Sequence, residues 1–365
     1  MYPSRVWGRN YVKAMKIMVA PRRIGPALST LVLGTVLLSC GQPVGMSQVY
    51  RSFSSGYASL TGSSGTSSSS FAYPRGIAVD AAGNIFVVDS ANSRIVETSG
   101  ISSSTWTAKF PTDATPTGDS LFAPEGIAVD QVGDVWVADS GNGRVVHLNT
   151  ADWQSATPTF DYCDSVTDTA TGRSFALSLP SGLAVTGPAV TGRFLYLTDP
   201  GTDFPHNSSM VFKIDAGAPF PANHVAVGLS FLQSGGSNSL SWPRGIAVNP
   251  GGTKVYVADE AAHRIVMLDA SLGGWTALGG SPGSGTGQFI SPQTLAVDSM
   301  ENIYVVDSAN YWVVKMADIT AAGWAKIGKQ GGSSYNSVYP AWVAVDSSFH
   351  VFVSDDVADQ IVEFQ

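Results

Sequence analysis

The segment Pro74-Arg-Gly-Ile-Ala-Val-Asp80 returns five times along the chain. The returns are Pro124-Glu-Gly-Ile-Ala-Val-Asp130, Pro180-Ser-Gly-Leu-Ala-Val-Thr186, Pro243-Arg-Gly-Ile-Ala-Val-Asn249, Pro292-Gln-Thr-Leu-Ala-Val-Asp298 and Pro340-Ala-Trp-Val-Ala-Val-Asp346. Successive prolines are 50, 56, 63, 49 and 48 residues apart. A unit recurring at this period cannot bury its own apolar face and must stack on its neighbours. Six such units constrain the architecture far more than the activity.

Each motif leads through a polar turn into a second apolar run that ends in aspartate: Ile85-Phe-Val-Val-Asp89, Val135-Trp-Val-Ala-Asp139, Leu195-Tyr-Leu-Thr-Asp199, Val255-Tyr-Val-Ala-Asp259, Ile303-Tyr-Val-Val-Asp307 and Val351-Phe-Val-Ser-Asp355. Short runs of Val, Ile and aromatics bounded by Gly, Asn and Asp are strands. A third strand follows, Arg94 to Thr98 in the first unit, and a weaker fourth often opens with Trp, at Trp106, Trp275 and Trp324. Four short antiparallel strands per unit make a propeller blade, so the chain is expected to be an all-β, six-bladed propeller.

The segments P-x-G-I-A-V-D, G-N-I-[FY]-V-[AV]-D and D-x-x-N-x-R-[IV] resemble the NHL-repeat family of β-propellers over residues 48–365. Unit 3 diverges most, with an enlarged turn from Gly187 to Arg193 and a long loop from Pro200 to Ser209. Unit 6 reaches only its third strand, Gln360 to Phe364, so Gln48-Val-Tyr-Arg-Ser-Phe53 is the expected closing strand, leaving no open sheet edge.

The first 39 residues differ from the rest. They hold six basic residues and no acid, and then the apolar run Ala27 to Leu38 ahead of Ser39 and Cys40. A basic segment, a 12-residue apolar core and a small residue before the cut predict an export signal over 1–39, and the core is short for a membrane span. Leu37-Leu-Ser-Cys40 resembles a bacterial lipobox. The resemblance implies cleavage before Cys40, acylation of that cysteine, a short tether over 40–47 and, with Gly41 next, sorting to the outer membrane. Multiple acyl chains would make the anchor stable.

Without residues 1–39, fourteen basic residues face twenty-eight acidic ones. So acidic a body repels phosphate, which argues against nucleic-acid partners. Cys163 is the second of two cysteines. If Cys40 is acylated no intramolecular disulfide can form, and burial is the simplest reading of Cys163.

Strand order puts the residues after each proline and the aspartates ending each second strand on one rim. The first column reads Arg75, Glu125, Ser181, Arg244, Gln293 and Ala341. Arg75 and Arg244 suit a carboxylate or phosphate ligand, or else pair structurally with Glu125 and the Asp column. A residue repeated in every blade usually serves the blade, so the Asp column reads as turn and loop capping. Departures from the repeat are sharper candidates. Trp312, beside Tyr311, replaces the arginine of the third strand, and Trp342 replaces the motif glycine and can either stack on a ligand or plug the channel.

Residues 150–179 carry Asp152, Asp161, Asp164 and Asp168 around Cys163 and read as a solvated acidic loop. Asp199, Asp203 and His206 are weak candidates for Ca²⁺ or another divalent metal, without a calcium-loop motif. Otherwise no cofactor is predicted. The five histidines show no ligand spacing. The post-proline column lacks the histidines that peptidyl-hydroxyglycine lyases of this propeller type place there. The resemblance to six-bladed lactonases would use Glu125 and the Asp column as metal ligands.

The expected function is therefore a membrane-anchored, exported, non-catalytic platform for a protein, peptide or glycan of the cell envelope. Its candidate ligand residues are Arg75, Glu125, Arg244, Gln293 and Trp342. A metal-dependent hydrolase or lyase at the channel mouth is the alternative.

Overall fold

A computed structural model describes residues 51–52, 70–101, 106–109, 120–155, 160–186, 192–201, 209–216, 225–233, 239–327 and 339–364. They fall in one unit spanning Met46–Gln365. The predicted export signal, Cys40 and the tether lie outside the described residues.

Six small sheets form a six-bladed β-propeller. Blade 1 runs Pro74–Val79, Ile85–Asp89, Arg94–Thr98 and Trp106–Lys109 in spatial order, each strand antiparallel to the next. Blades 4 and 5 repeat this meander from Pro243–Val248 to Thr276–Gly279 and from Pro292–Val297 to Ala325–Ile327. In blade 6, Pro340–Val345, Val351–Asp355 and Gln360–Phe364 are completed from the other end of the chain. Arg51 pairs with Glu363 and Ser52 with Val362, as the sequence leads one to expect.

Residues 150–179 are not a loop. They form the helix Thr150–Gln154, the fourth strand of blade 2 (Asp161–Cys163), and a hairpin, Ser165–Asp168 with Ser174–Ala176. The hairpin adds to the outer edge of blade 3 by parallel pairing with Val225–Gln233, giving a six-stranded sheet. The overlooked signal is the period-2 pattern on both sides of the Thr169-Ala-Thr-Gly172 turn. Cys163 lies fully buried against Val166, Leu195 and Phe212, and burial pushes its thiol far up.

The core lies between the blades. Six apolar clusters each join two neighbouring blades, such as Trp136 and Val145 with Leu195 and Phe212 between blades 2 and 3. At the closing seam Ile77 and Ile85 pack with Trp342, Phe352 and Ile361.

Toward the axis the first strands approach too closely for side chains at the motif glycine. A Cβ on Gly126 would lie 2.0 Å from the Ser181 carbonyl oxygen, and one on Gly76 2.5 Å from that of Glu125. The Gly76 N–H donates to that same Glu125 oxygen at 2.8 Å. This close approach draws the post-proline residues of successive blades together at the mouth of the channel.

The aspartates ending the second strands are blade-internal latches. Asp89 accepts from the Ala72 N–H at 2.6 Å, Asn92 Nδ2 at 2.8 Å and Arg94 Nε at 2.7 Å. Arg94 also donates to the Ser70 carbonyl, so the pair clamps the loop that enters the blade. Asp139 with Arg144 and Asp259 with Arg264 repeat the arrangement. In blade 5 the indole N–H of Trp312 donates to Asp307 at 3.1 Å, taking the arginine's place. The departure at Trp312 therefore substitutes one donor for another. The aspartates of the first turn, such as Asp80, cap local N–H groups at Ala82 and Asn84.

Burial raises the carboxyls of Asp89, Asp199, Asp307 and Asp355, and takes Asp259 to about 6. A carboxyl raised in the folded state binds protons more tightly folded than unfolded, so its contribution is full below about pH 4 and is lost as pH rises through its folded value, about 6 for Asp259. Glu125 and Asp134 are depressed and act in the opposite sense, only below about pH 4. The urea midpoint should therefore rise as pH falls from 7 to 5 and drop again below 4. A midpoint that falls steadily from pH 7 downward would contradict this.

Candidate functional site at the channel mouth

Five of the six post-proline positions meet in one network. Glu125 of blade 2 is its hub. Arg244 Nη2, from blade 4, lies 2.8 and 2.9 Å from the two Glu125 oxygens. Ser181 Oγ, from blade 3, donates to Glu125 Oε2 at 2.8 Å. Arg75 of blade 1 stands 3.7 Å from Glu125 Oε1, donates to the Tyr73 hydroxyl at 2.8 Å and lies 4.5 Å from the centre of the Tyr73 ring. Gln293 of blade 5 stands beside Glu260 and favours its ionised form. The sixth position, Ala341, is buried.

Glu260 went unnoticed in the sequence. It follows Asp259 directly, where blades 1, 2 and 5 carry Ser90, Ser140 and Ser308. A carboxylate where the repeat prefers serine is the signal that could have found it. Its Oε2 lies 3.6 Å from Arg244 Nη1, an ion pair too long for a hydrogen bond. No donor among the described residues reaches that buried oxygen.

The two carboxyls are driven apart. Burial opposes ionisation of Glu125, but the Arg244 and Arg75 charges and the bonds from Arg244 and Ser181 outweigh it, holding the carboxyl below its ordinary range. Burial also acts on Glu260, where Arg244 and Gln293 only partly offset it and the Glu125 charge adds to it, leaving that carboxyl raised. Arg244, between two glutamates, is raised despite its burial. Two arginines and two glutamates make the mouth locally neutral.

Below the network, the channel narrows to a cavity of about 190 Å³ lined by first-strand residues of all six blades. Trp342 lines it and is 6% exposed, so its ring is part of the channel wall rather than the rim. Exposed rings stand on the same rim instead. Tyr73, Phe122 and Tyr339 stand just ahead of the prolines of blades 1, 2 and 6, with Tyr311 where the third strand of blade 5 begins. Tyr311 meets Tyr339 edge-to-face at 5.2 Å.

Of the remaining metal candidates, Asp199 is engaged with backbone rather than with this network. The Asp199 carboxylate accepts from three backbone N–H groups, of Ser178, Leu179 and Gly201, at 2.7 to 3.0 Å. Asp203 and His206 lie outside the described residues. Among the described residues no three His, Cys, Asp or Glu side chains are grouped as metal ligands.

On the opposite rim Arg193 of blade 3 bridges Asp130 and Asp134 of blade 2 at 2.6 and 2.8 Å, next to a stacked Trp136–His147 pair. This inter-blade clamp was also missed in the sequence, because Arg193 closes the divergent turn of unit 3.

With this geometry in hand, two segments, residues 71–97 and 123–148, match the NHL repeat. The chain carries NHL repeats. No curated protein sequence matches the chain. Among solved structures, a streptogramin B lyase is 11% identical, aligns over 87% of this chain and 97% of its own, and gives a TM-score of 0.54. The virginiamycin B lyase of Staphylococcus aureus, in selenomethionine form, is 13% identical over 79% of each chain with a TM-score of 0.51. A protein of unknown function from Bacteroides thetaiotaomicron is 16% identical over 82% of this chain and 70% of its own, with a TM-score of 0.57. At these identities the likeness is one of fold, and fold alone does not transfer function.

Proposed function

We propose that the protein is a non-catalytic binding module whose ligand, a protein, peptide or glycan of the cell envelope, docks on the proline-side rim of the propeller. The observation that carries this reading is the set of exposed Tyr and Phe rings on the rim that also holds the charge-compensated centre. Exposed aromatics rimming polar groups mark interaction surfaces. The alternative, a metal-dependent hydrolase or lyase, requires free carboxylates at the mouth. Glu125 is instead spent on two guanidiniums and a hydroxyl, and a cation would have to displace Arg244 to reach it. The basic leader, apolar run and Leu37-Leu-Ser-Cys40 support export and anchoring through an acylated Cys40, with outer-membrane sorting. The acidic body supports a partner other than nucleic acid, with the membrane reached through the lipid anchor only.

Two measurements test the binding reading. Elemental analysis of protein purified without chelator should find no stoichiometric metal; one Zn²⁺, Ca²⁺ or Mn²⁺ per chain would overturn the non-catalytic assignment. A photo-crosslinking residue at Phe122 or Tyr311 should capture envelope ligand where the same group at Val132 or Met300, exposed on the other rim, does not. Equal capture from both rims would rule out the proline-side surface.

A further inference from the structure

We propose that the rim opposite the prolines lies against a zwitterionic lipid surface, touched by Val132, Met300 and Phe349, so that the proline-side rim faces away from the membrane. This rests on the proposed anchoring through Cys40 and adds an orientation to it.

The direction of the chain gives the side. In blade 6, Pro340 pairs with Asp355 and Asp355 with Gln360, which places Gln360 on the proline-side rim and Phe364 on the opposite one. The N-terminal strand is antiparallel to Gln360–Phe364, with Arg51 beside Glu363 and Ser52 beside Val362. The chain therefore enters Arg51 from the opposite rim and runs toward the prolines. Cys40 stands eleven residues ahead of Arg51, a span of at most about 40 Å when fully extended. An acyl chain on Cys40 is thus tied to the opposite rim. To put the proline-side rim on a membrane, that length would first have to run back along the outer edge of blade 6.

The turns on that rim shape its surface. First strands line the channel, so the turns into the second strands stand nearest the axis. The carboxylates that open them are folded back on the backbone. Asp130 accepts from the Val132 and Asp134 N–H groups, Asp298 from those of Met300 and Asn302, and Asp346 from those of Ser348 and His350. The charge serves the turn and the tip left outside is neutral. Val132, Met300 and Phe349 are 53%, 71% and 40% exposed, in blades 2, 5 and 6. Exposed Ala81, Gln131 and Pro250 beside them are uncharged, and Lys254 neutralises Glu301 at 2.7 Å.

Charge then selects the lipid. The outer turns of the same rim carry exposed Asp215, Asp269 and Asp318 on an acidic chain. An anionic surface repels them and a zwitterionic one does not. Contact by a few apolar tips is small in area, so the tips orient the domain while the anchor supplies the attachment. A ligand for Tyr73, Phe122 and Tyr311 then approaches from the aqueous side.

The test uses the purified full-length chain in vesicles of phosphatidylcholine and phosphatidylethanolamine, with mass spectrometry reporting acylation of Cys40. An environment-sensitive fluorophore is attached at Val132→Cys, Met300→Cys or Phe349→Cys, and on the other rim at Phe122→Cys or Tyr311→Cys. Cys163 is buried and takes no label. The first three probes should shift to the blue and lose emission to nitroxide-labelled lipids, and the last two should do neither. Met300→Asp with Phe349→Asp, both at exposed tips, should reverse the shift of the Val132 probe while the protein still floats with the vesicles. In acylated protein that floats, quenching on the proline-side rim, on both rims or on neither overturns the inference and leaves the anchoring reading standing. A Val132 probe indifferent to the two aspartates overturns it as well. A blue shift that appears in detergent and grows with protein concentration assigns this rim to a second copy and overturns it too. Unacylated protein that does not float overturns both readings.

Discussion

Glu125→Ala should destabilise the propeller by about 3 kcal/mol, the lower end of the range for breaking a buried ion pair from one side. The lower end applies because the side chains of Glu125, Arg244 and Arg75 are 19%, 13% and 13% exposed, so water screens part of the loss. The substitution takes the anionic partner from two guanidiniums at once and leaves the Ser181 hydroxyl without its acceptor. Glu260 alone then balances Arg75 and Arg244, and the mouth goes from neutral to a charge of +1. The companion measurement is Glu125→Leu with Arg244→Met. An apolar pair can replace a buried ion pair at little cost, so the double variant should recover most of the loss despite carrying two changes. Urea denaturation of both variants checks this. A single-variant loss below about 1 kcal/mol would mean the network is a surface ion pair of little consequence.

That network shows what a sequence with internal repeats discloses and what it hides. The first strands were legible because blades 1 to 4 repeat the motif glycine, with Thr294 and Trp342 in its place in blades 5 and 6. Gly76, Gly126 and Gly182 recur because the strands meet at the axis with no room for a Cβ. The Asp–Arg latches were legible on the same ground, since a residue present in each blade answers to each blade's entering loop. Pairing of Arg75 and Arg244 with Glu125 was one of two open readings, because column membership places residues on a rim without saying which face one another across it. Departures from the repeat proved ambiguous in both directions. Trp312 departs and yet does the arginine's work, donating to Asp307. Glu260 departs from a serine column that seemed to carry only turn geometry, and it brings a second carboxylate to Arg244. The outer hairpin on blade 3 was hidden because its strands are three and four residues long and pair out of chain order with Val225–Gln233.

The second large effect concerns the ring's seam. Deleting residues 48–53 should lower the melting temperature of the domain, since blade 6 then loses its fourth strand and bares the edge of Gln360–Phe364. The pairing of Arg51 with Glu363 and Ser52 with Val362 makes blade 6 a four-stranded sheet like blades 1, 4 and 5. The ring need not fall open without it. Ile77, Ile85, Trp342, Phe352 and Ile361 form an apolar core at the seam, the Tyr73 N–H donates to Asp359 at 2.7 Å, and Ser354 Oγ donates to the Arg75 carbonyl at 2.8 Å. The loss should therefore be partial and local. Amides of Gln360–Phe364 should lose hydrogen-exchange protection first, while Val135–Asp139 in blade 2 keeps its own. The bared strand reads Gln-Ile-Val-Glu-Phe, an apolar edge open to pairing with other chains, so the variant should also associate at high concentration. An unchanged melting curve and unchanged protection of Gln360–Phe364 would show that the seam is held by its apolar core alone.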